Sequence, residues 1–185
     1  MEWIVSKGKK DFKIQLKKPD ILFEGWKIEY IYKVKEQNVC KIKPLPIVAL
    51  GKKKTTCIVD DDYLRINVVF SDEEDHIAIK YTIDNLSDEV LLLDKIITYV
   101  NKFSIPKTKH YHFFKNGFQS WSLTRSYSLN EKEMVSWLSC MNILQDNPRN
   151  LPSGKTGSFN STMYAAIGSE NYSYCVIGQA KPFNQ

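Results

Sequence analysis

Ten residues concentrate what chemistry this chain offers: Phe113-Phe114-Lys115-Asn116-Gly117-Phe118-Gln119-Ser120-Trp121-Ser122. Three Phe and a Trp flank an Asn-Gly pair, and both of those residues tolerate positive φ. A turn there would draw large flat side chains together. Trp121 is the candidate binding residue. An indole beside a turn serves either as a core plug or as a platform for the flat apolar face of a sugar ring, and its N–H needs a partner if buried. Taken without context, core packing is the commoner use.

The other reactive side chains offer less. His110 and His112 would face one side of a strand, but no Cys or carboxylate lies nearby in sequence, so no metal site is expected. Asp60-Asp61-Asp62 stands where one apolar run ends and the next begins. The acidic runs at 71–75 and 84–89 have the composition of turns. No base or metal-ligand pattern brackets any of them, and all three read as solvated tips. Ser153-Gly154-Lys155-Thr156-Gly157 imitates part of a phosphate loop. The first glycine of GxxxxGK[ST] would fall on Arg149, however, and no strand–loop–helix pattern surrounds it, so a nucleotide site is rejected. Cys40, Cys57, Cys140 and Cys175 contain no CxxC and are expected as reduced, buried thiols. No cofactor is expected.

The elements that must position these groups are mostly strands. With 185 residues, 43% of them hydrophobic and 25% charged, the chain fits one folded domain, residues 1–185. Aromatics at 12% with only 8 Gly favour pleated surfaces over helices. The net charge of +5 comes from lysines dispersed through the chain, with short clusters at 52–54 and 7–10. A solvated lysine face is the reading, with no nucleic-acid partner. No apolar run follows Met1-Glu2-Trp3 and none reaches the length of a membrane span, so a cytoplasmic protein without membrane contact is expected.

Residues 3–5 and 12–16 read as an opening hairpin around Gly8. Residues 21–34 alternate apolar and polar with period two, a half-buried strand. Pro44 and Pro46 demote 41–50 to an edge strand or an extended connection. The runs 63–70, 77–83 and 90–100 are β-branched and apolar, and their order predicts a three-stranded antiparallel meander. Strands at 110–114 and 118–123 flank the Asn-Gly turn. One short helix is predicted over 131–144, where Met134, Trp137, Leu138 and Met141 follow helical spacing and Asn130 precedes Glu131 and Glu133. Residues 146–161 form a loop, and 162–167 with 172–178 close the chain as strands. The fold class is mainly β, an antiparallel β-sandwich of two packed sheets.

Asn116-Gly117-Phe118-Gln119-Ser120-Trp121-Ser122 resembles the "N-G/N-W-Q-S-W-S/G" segment in the N-terminal domain of glycoside hydrolase family 36, the α-galactosidase (melibiase) family. Gln119, Ser120 and Trp121 match, whereas Phe118 replaces the family's first Trp. Asp84–Glu89 within the predicted meander also resembles the family's sandwich strands. Ser161-Thr162-Met163-Tyr164 with Tyr174-Cys175-Val176-Ile177-Gly178 resembles its "S-D-Y-F … V-x-G-F" strand pair. The likeness runs loosely from about Leu64 to Gly178, and its one specific motif is short.

The resemblance implies an N-terminal β-supersandwich that packs against a catalytic (β/α)8 barrel, in which two Asp perform retaining hydrolysis. It places Trp121 at the rim of the sugar pocket, against an α-galactoside, with Gln119 and Ser120 holding the loop. The 185 residues contain no counterpart of the barrel or its two Asp. The expectation is therefore a non-catalytic fragment, an incomplete sandwich inactive by itself. Its unpaired edges would favour self-association, a homo-oligomer included. The alternative is a free-standing carbohydrate-binding or interaction sandwich, in the first case with Phe118 or Trp137 completing the Trp121 platform.

Overall fold

The computed structural model describes residues 3–8, 12–17, 20–73, 76–105, 110–115, 124–134, 154–159, 161, 164–169 and 174–178. They form thirteen strands, and every strand pair is antiparallel. The chain divides into two compact units, Met1–Ser104 and Ile105–Gln185.

The first unit is a two-sheet, sandwich-like arrangement organised on one long strand. β3 (Asp20–Val34) takes β9 (Leu92–Ser104) along one edge. Its other edge is shared: β2 (Phe12–Lys17) pairs with residues 20–24 and β4 (Gln37–Pro44) with residues 27–34. β1 (Trp3–Lys7) completes this sheet beside β2, as the opening hairpin requires. The handover between β2 and β4 falls at Gly25. Inward side chains occupy odd positions before it (Ile21, Phe23) and even positions after it (Trp26, Ile28, Tyr30, Tyr32, Val34). A period-two strand changes phase only by inserting a residue, and the inserted residue here has φ +73°. A Cβ on Gly25 would meet Asn101 Nδ2 at 2.8 Å. Gly25→Ala is expected to lower stability by about 1–2 kcal/mol, since an L side chain in the left-handed region adds strain to that contact. The midpoint of denaturant unfolding measures it.

The second sheet runs β5-β6-β7-β8 in chain order: β5 (Ile47–Leu50), β6 (Lys54–Asp60), β7 (Leu64–Glu73) and β8 (His76–Asn85). Pro44 and Pro46 mark the crossing from one sheet to the other. β4 borders the first sheet and β5 the second, so the proline-bearing stretch supplies two edge strands and a connection, with Leu45 fully buried between them. The sheets meet through apolar inner faces. Phe12 stacks on Trp26 at 5.9 Å, and the edge of Phe70 meets both rings, at 5.5 and 4.9 Å.

Two sequence expectations are corrected. The runs at 63–70 and 77–83 pair as β7 and β8, but β9 leaves them to pair with β3 in the other sheet. Its apolar alternation matches the long face of β3, and turn composition cannot choose between two available edges. At Glu131–Met134, the start of the predicted helix, no helix forms; residues 135–144 lie outside the described residues. The Glu131 N–H donates to the Ser128 carbonyl at 3.0 Å and its carboxylate accepts from the Ser128 N–H at 2.6 Å. That reciprocal pair is what a capping box looks like in sequence. Here it closes a single turn, after which Lys132 bridges Thr156.

Candidate functional site

The second unit carries the roots of the aromatic motif. Its sheet is ordered β11-β10-β12-β13, from β10 (Tyr111–Lys115), β11 (Arg125–Ser128), β12 (Tyr164–Ser169) and β13 (Tyr174–Gly178). The last two are the closing strand pair expected from sequence. β10 is central, and alternation puts Tyr111, Phe113 and Lys115 on one face. Phe113 stands opposite Tyr127, and Lys115 opposite Arg125. Phe159 stacks on Phe113 at 5.2 Å and on Tyr127 at 5.1 Å. The Arg125 guanidinium lies 5.1 Å from the Tyr127 ring centroid, within cation–π range.

At the end of this face sits a buried ion pair. Lys115 Nζ lies 3.3 Å from Glu133 Oε1, with side chains only 3% and 0% exposed. Charges so far from water persist only when paired, and each of these residues supplies part of the other's compensation. Glu131, nearby in sequence, is handled differently. The Ser128 N–H and the Arg125 guanidinium, at 3.1 Å, hold its carboxyl below the usual range against some desolvation. Glu131 and Glu133, both expected in the first turn of a helix, are thus held in different ways. Their alternation about Lys132 was the one sign that they would part.

An Asn-Gly turn of two residues would set Lys115 opposite Phe118. Instead Lys115 faces Arg125, so residues 116–124 connect β10 to β11. The Phe113–Tyr127 pairing beneath Phe159 helps fix that β10–β11 register, while the Asn-Gly pair and the strand expected at 118–123 lie outside the described residues. Trp121, Phe118, Gln119 and Ser120 lie outside the described residues, as do Trp137 and Cys140. The described part of the motif is thus its base: a stacked aromatic face ending in a charge-neutral buried pair. A Lys–Glu pair cannot perform the two-carboxylate chemistry of glycoside hydrolysis.

In the first unit, Asp61 departs from the solvated-tip expectation. Its side chain is 1% exposed, whereas that of Asp62 is 88% exposed and Asp60 pairs with Arg65 at 2.8 Å. Asp61 accepts from the Tyr63 and Leu64 N–H groups at 2.9 and 3.0 Å and from the Tyr32 hydroxyl at 3.1 Å, with Lys41 Nζ at 3.4 Å. Burial by itself would raise its pKa, yet those donors and the ammonium hold the carboxyl below its ordinary value. Burial, followed by the Asp61 charge, raises the Tyr30 phenol and pushes Tyr32 up to about 12. Burial likewise pushes the Cys57 thiol up to about 12.

These shifts set an alkaline limit. Between the unfolded values, about 8.5 for Cys and 10 for Tyr, and the folded ones, the native state binds more protons than the unfolded state. Stability should therefore be complete below about pH 8.5 and fall as pH rises toward 12. Urea midpoints measured across that range test it, and a flat profile would contradict it.

Cys40, expected buried, is exposed on edge strand β4, and Cys57 is buried; the described cysteines are free thiols. No group of three or more His, Cys, Asp and Glu that could hold a metal occurs among the described residues. An open groove of about 780 Å³ includes Trp3, Gly51 and Lys53 in its lining. The Trp3 indole N–H there already donates to the Lys52 carbonyl at 3.0 Å.

Fold and site together define an antiparallel all-β protein whose first unit is sandwich-like and whose second bears the aromatic motif. Comparisons with protein-family models, with curated proteins and with solved structures find no match.

Proposed function

We propose that this chain is the non-catalytic N-terminal β-sandwich part of an α-galactosidase-like retaining glycoside hydrolase, and that Trp121 contributes to the rim of its sugar pocket. The observation carrying the reading is the segment Asn116–Ser122, in which Gln119-Ser120-Trp121 matches the family motif. In sequence the segment follows β10 directly, after Lys115 of the buried Lys115–Glu133 pair. Trp121 would stack on or shield the galactose-like ring, while the barrel of the parent enzyme supplies the nucleophile and the acid/base.

The coding sequence beyond Gln185 tests the reading. A (β/α)8 barrel with two suitably placed Asp is expected in frame, and a stop codon with no barrel following would overturn it. In the enzyme so assembled, Trp121→Ala should lower kcat/KM on an aryl α-galactoside by about 10- to 100-fold, or about 1.4–2.8 kcal/mol of transition-state binding. Circular dichroism should remain unchanged, and wild-type kinetics would remove Trp121 from the pocket. Galactoside affinity in the 185-residue chain, lost in Trp121→Ala, would instead mark a free-standing carbohydrate-binding sandwich.

A further inference from the structure

The first unit leaves core-facing side chains in water along one flank. On β8, Ile79 stands opposite buried Phe70 and Ile83 opposite buried Ile66, so both share the inner face, yet each is 37% exposed. On β9, Leu93 stands opposite buried Tyr32 and is 43% exposed. Among the described residues, β8 pairs only with β7 and β9 only with β3, so each strand has an unpaired edge. Across the flank the Tyr81 hydroxyl donates to Thr98 Oγ1 at 2.6 Å. β9 has 13 residues and no proline. A long strand edge left unpaired is a template for another strand.

We infer that the β9 edge is a homodimer interface in which two copies pair antiparallel about a two-fold axis at Thr98. That register matches both the apolar and the oppositely charged residues of β9. Ile96 meets Val100 of the second copy, Leu93 meets Phe103, Ile97 meets Tyr99, and Asp94 meets Lys102. Each contact occurs twice by symmetry, as an isologous interface requires. Both charged partners can be recruited. Asp94 is passed over in the β3 ladder, where Lys95 opposes Ile31 and Leu93 opposes Tyr32, and it forms no ion pair among the described residues. Lys102 reaches Glu24 only at 3.9 Å, with its side chain 64% exposed. Pairing would merge the two first sheets into one and extend each inner face over the partner's β8 flank, which accounts for core-type residues left open there. The inference does not depend on the glycosidase reading.

Sedimentation equilibrium of the 185-residue protein tests it. The expected result is a reversible dimer, at twice the 21.5 kDa chain mass. Asp94→Lys and Lys102→Asp should each raise the dimer dissociation constant about tenfold or more, because like charges then face each other. The double variant restores opposite charges and should return the constant to the wild-type range. A general loss of stability would not be rescued in this way. Hydrogen exchange on the unmutated chain gives a second reading, with β9 amides protected at high concentration and released on dilution. A monomer at every soluble concentration, a double variant no tighter than the singles, or β9 exchange independent of concentration would each overturn the proposal.

Discussion

Lys115→Met is expected to destabilise the second unit by about 3–5 kcal/mol, the cost of removing one partner of a buried ion pair. The magnitude follows from the exposures. The Lys115 and Glu133 side chains are 3% and 0% exposed, so the carboxylate left behind gains almost no water in compensation. A surface pair such as Lys35–Glu89, with exposures of 61% and 42%, should cost under about 1 kcal/mol when broken. The double variant Lys115→Met, Glu133→Leu removes both charges and should be more stable than the single variant, because no uncompensated ion remains. Hydrogen exchange at the β10 amides measures both, since it reports opening of that sheet specifically. A single variant within about 1 kcal/mol of wild type would show that the pair is solvated in solution.

Phe70→Ala should cost about 3–5 kcal/mol in the first unit, the usual range for emptying a fully buried aromatic site. Phe70 is fully buried and touches rings from two strands of the opposite sheet, Phe12 at 5.5 Å and Trp26 at 4.9 Å. Its loss therefore removes edge-to-face contacts across the sandwich as well as buried area. Ile79→Ala, on the same face of β8 but 37% exposed, should cost much less. Denaturant unfolding of the two variants side by side, at a dilution where the protein is monomeric, separates core from flank, and equal losses there would mean that Ile79 is covered within the single chain.

Much of the local structure was legible in the residues. Period-two alternation marked β3, prolines marked the edge strands and the crossing between sheets, and acidic turn-forming runs separated β7, β8 and β9. The candidate site was legible only as a motif. Its tryptophan stood out by type and company, but Lys115 and Glu133 stand eighteen positions apart among ordinary charged residues. Nothing local says that those two would lose their water together.

The amino-acid sequence determines that this protein is built of antiparallel strands, because the alternation of Trp26-Lys27-Ile28-Glu29-Tyr30 suits a pleated face and little else. It also sets Phe113–Ser122 apart by composition, and the proposed sugar contact rests on that segment. Tertiary structure decided which edge each strand takes, as β9 on β3 shows, and which of three consecutive aspartates is buried. It also turned a helical start at Glu131 into a single closed turn. The division has one physical cause. Alternation and turn chemistry act between neighbours in the chain, whereas partner choice, burial of charge and register are settled by contacts between residues far apart in it.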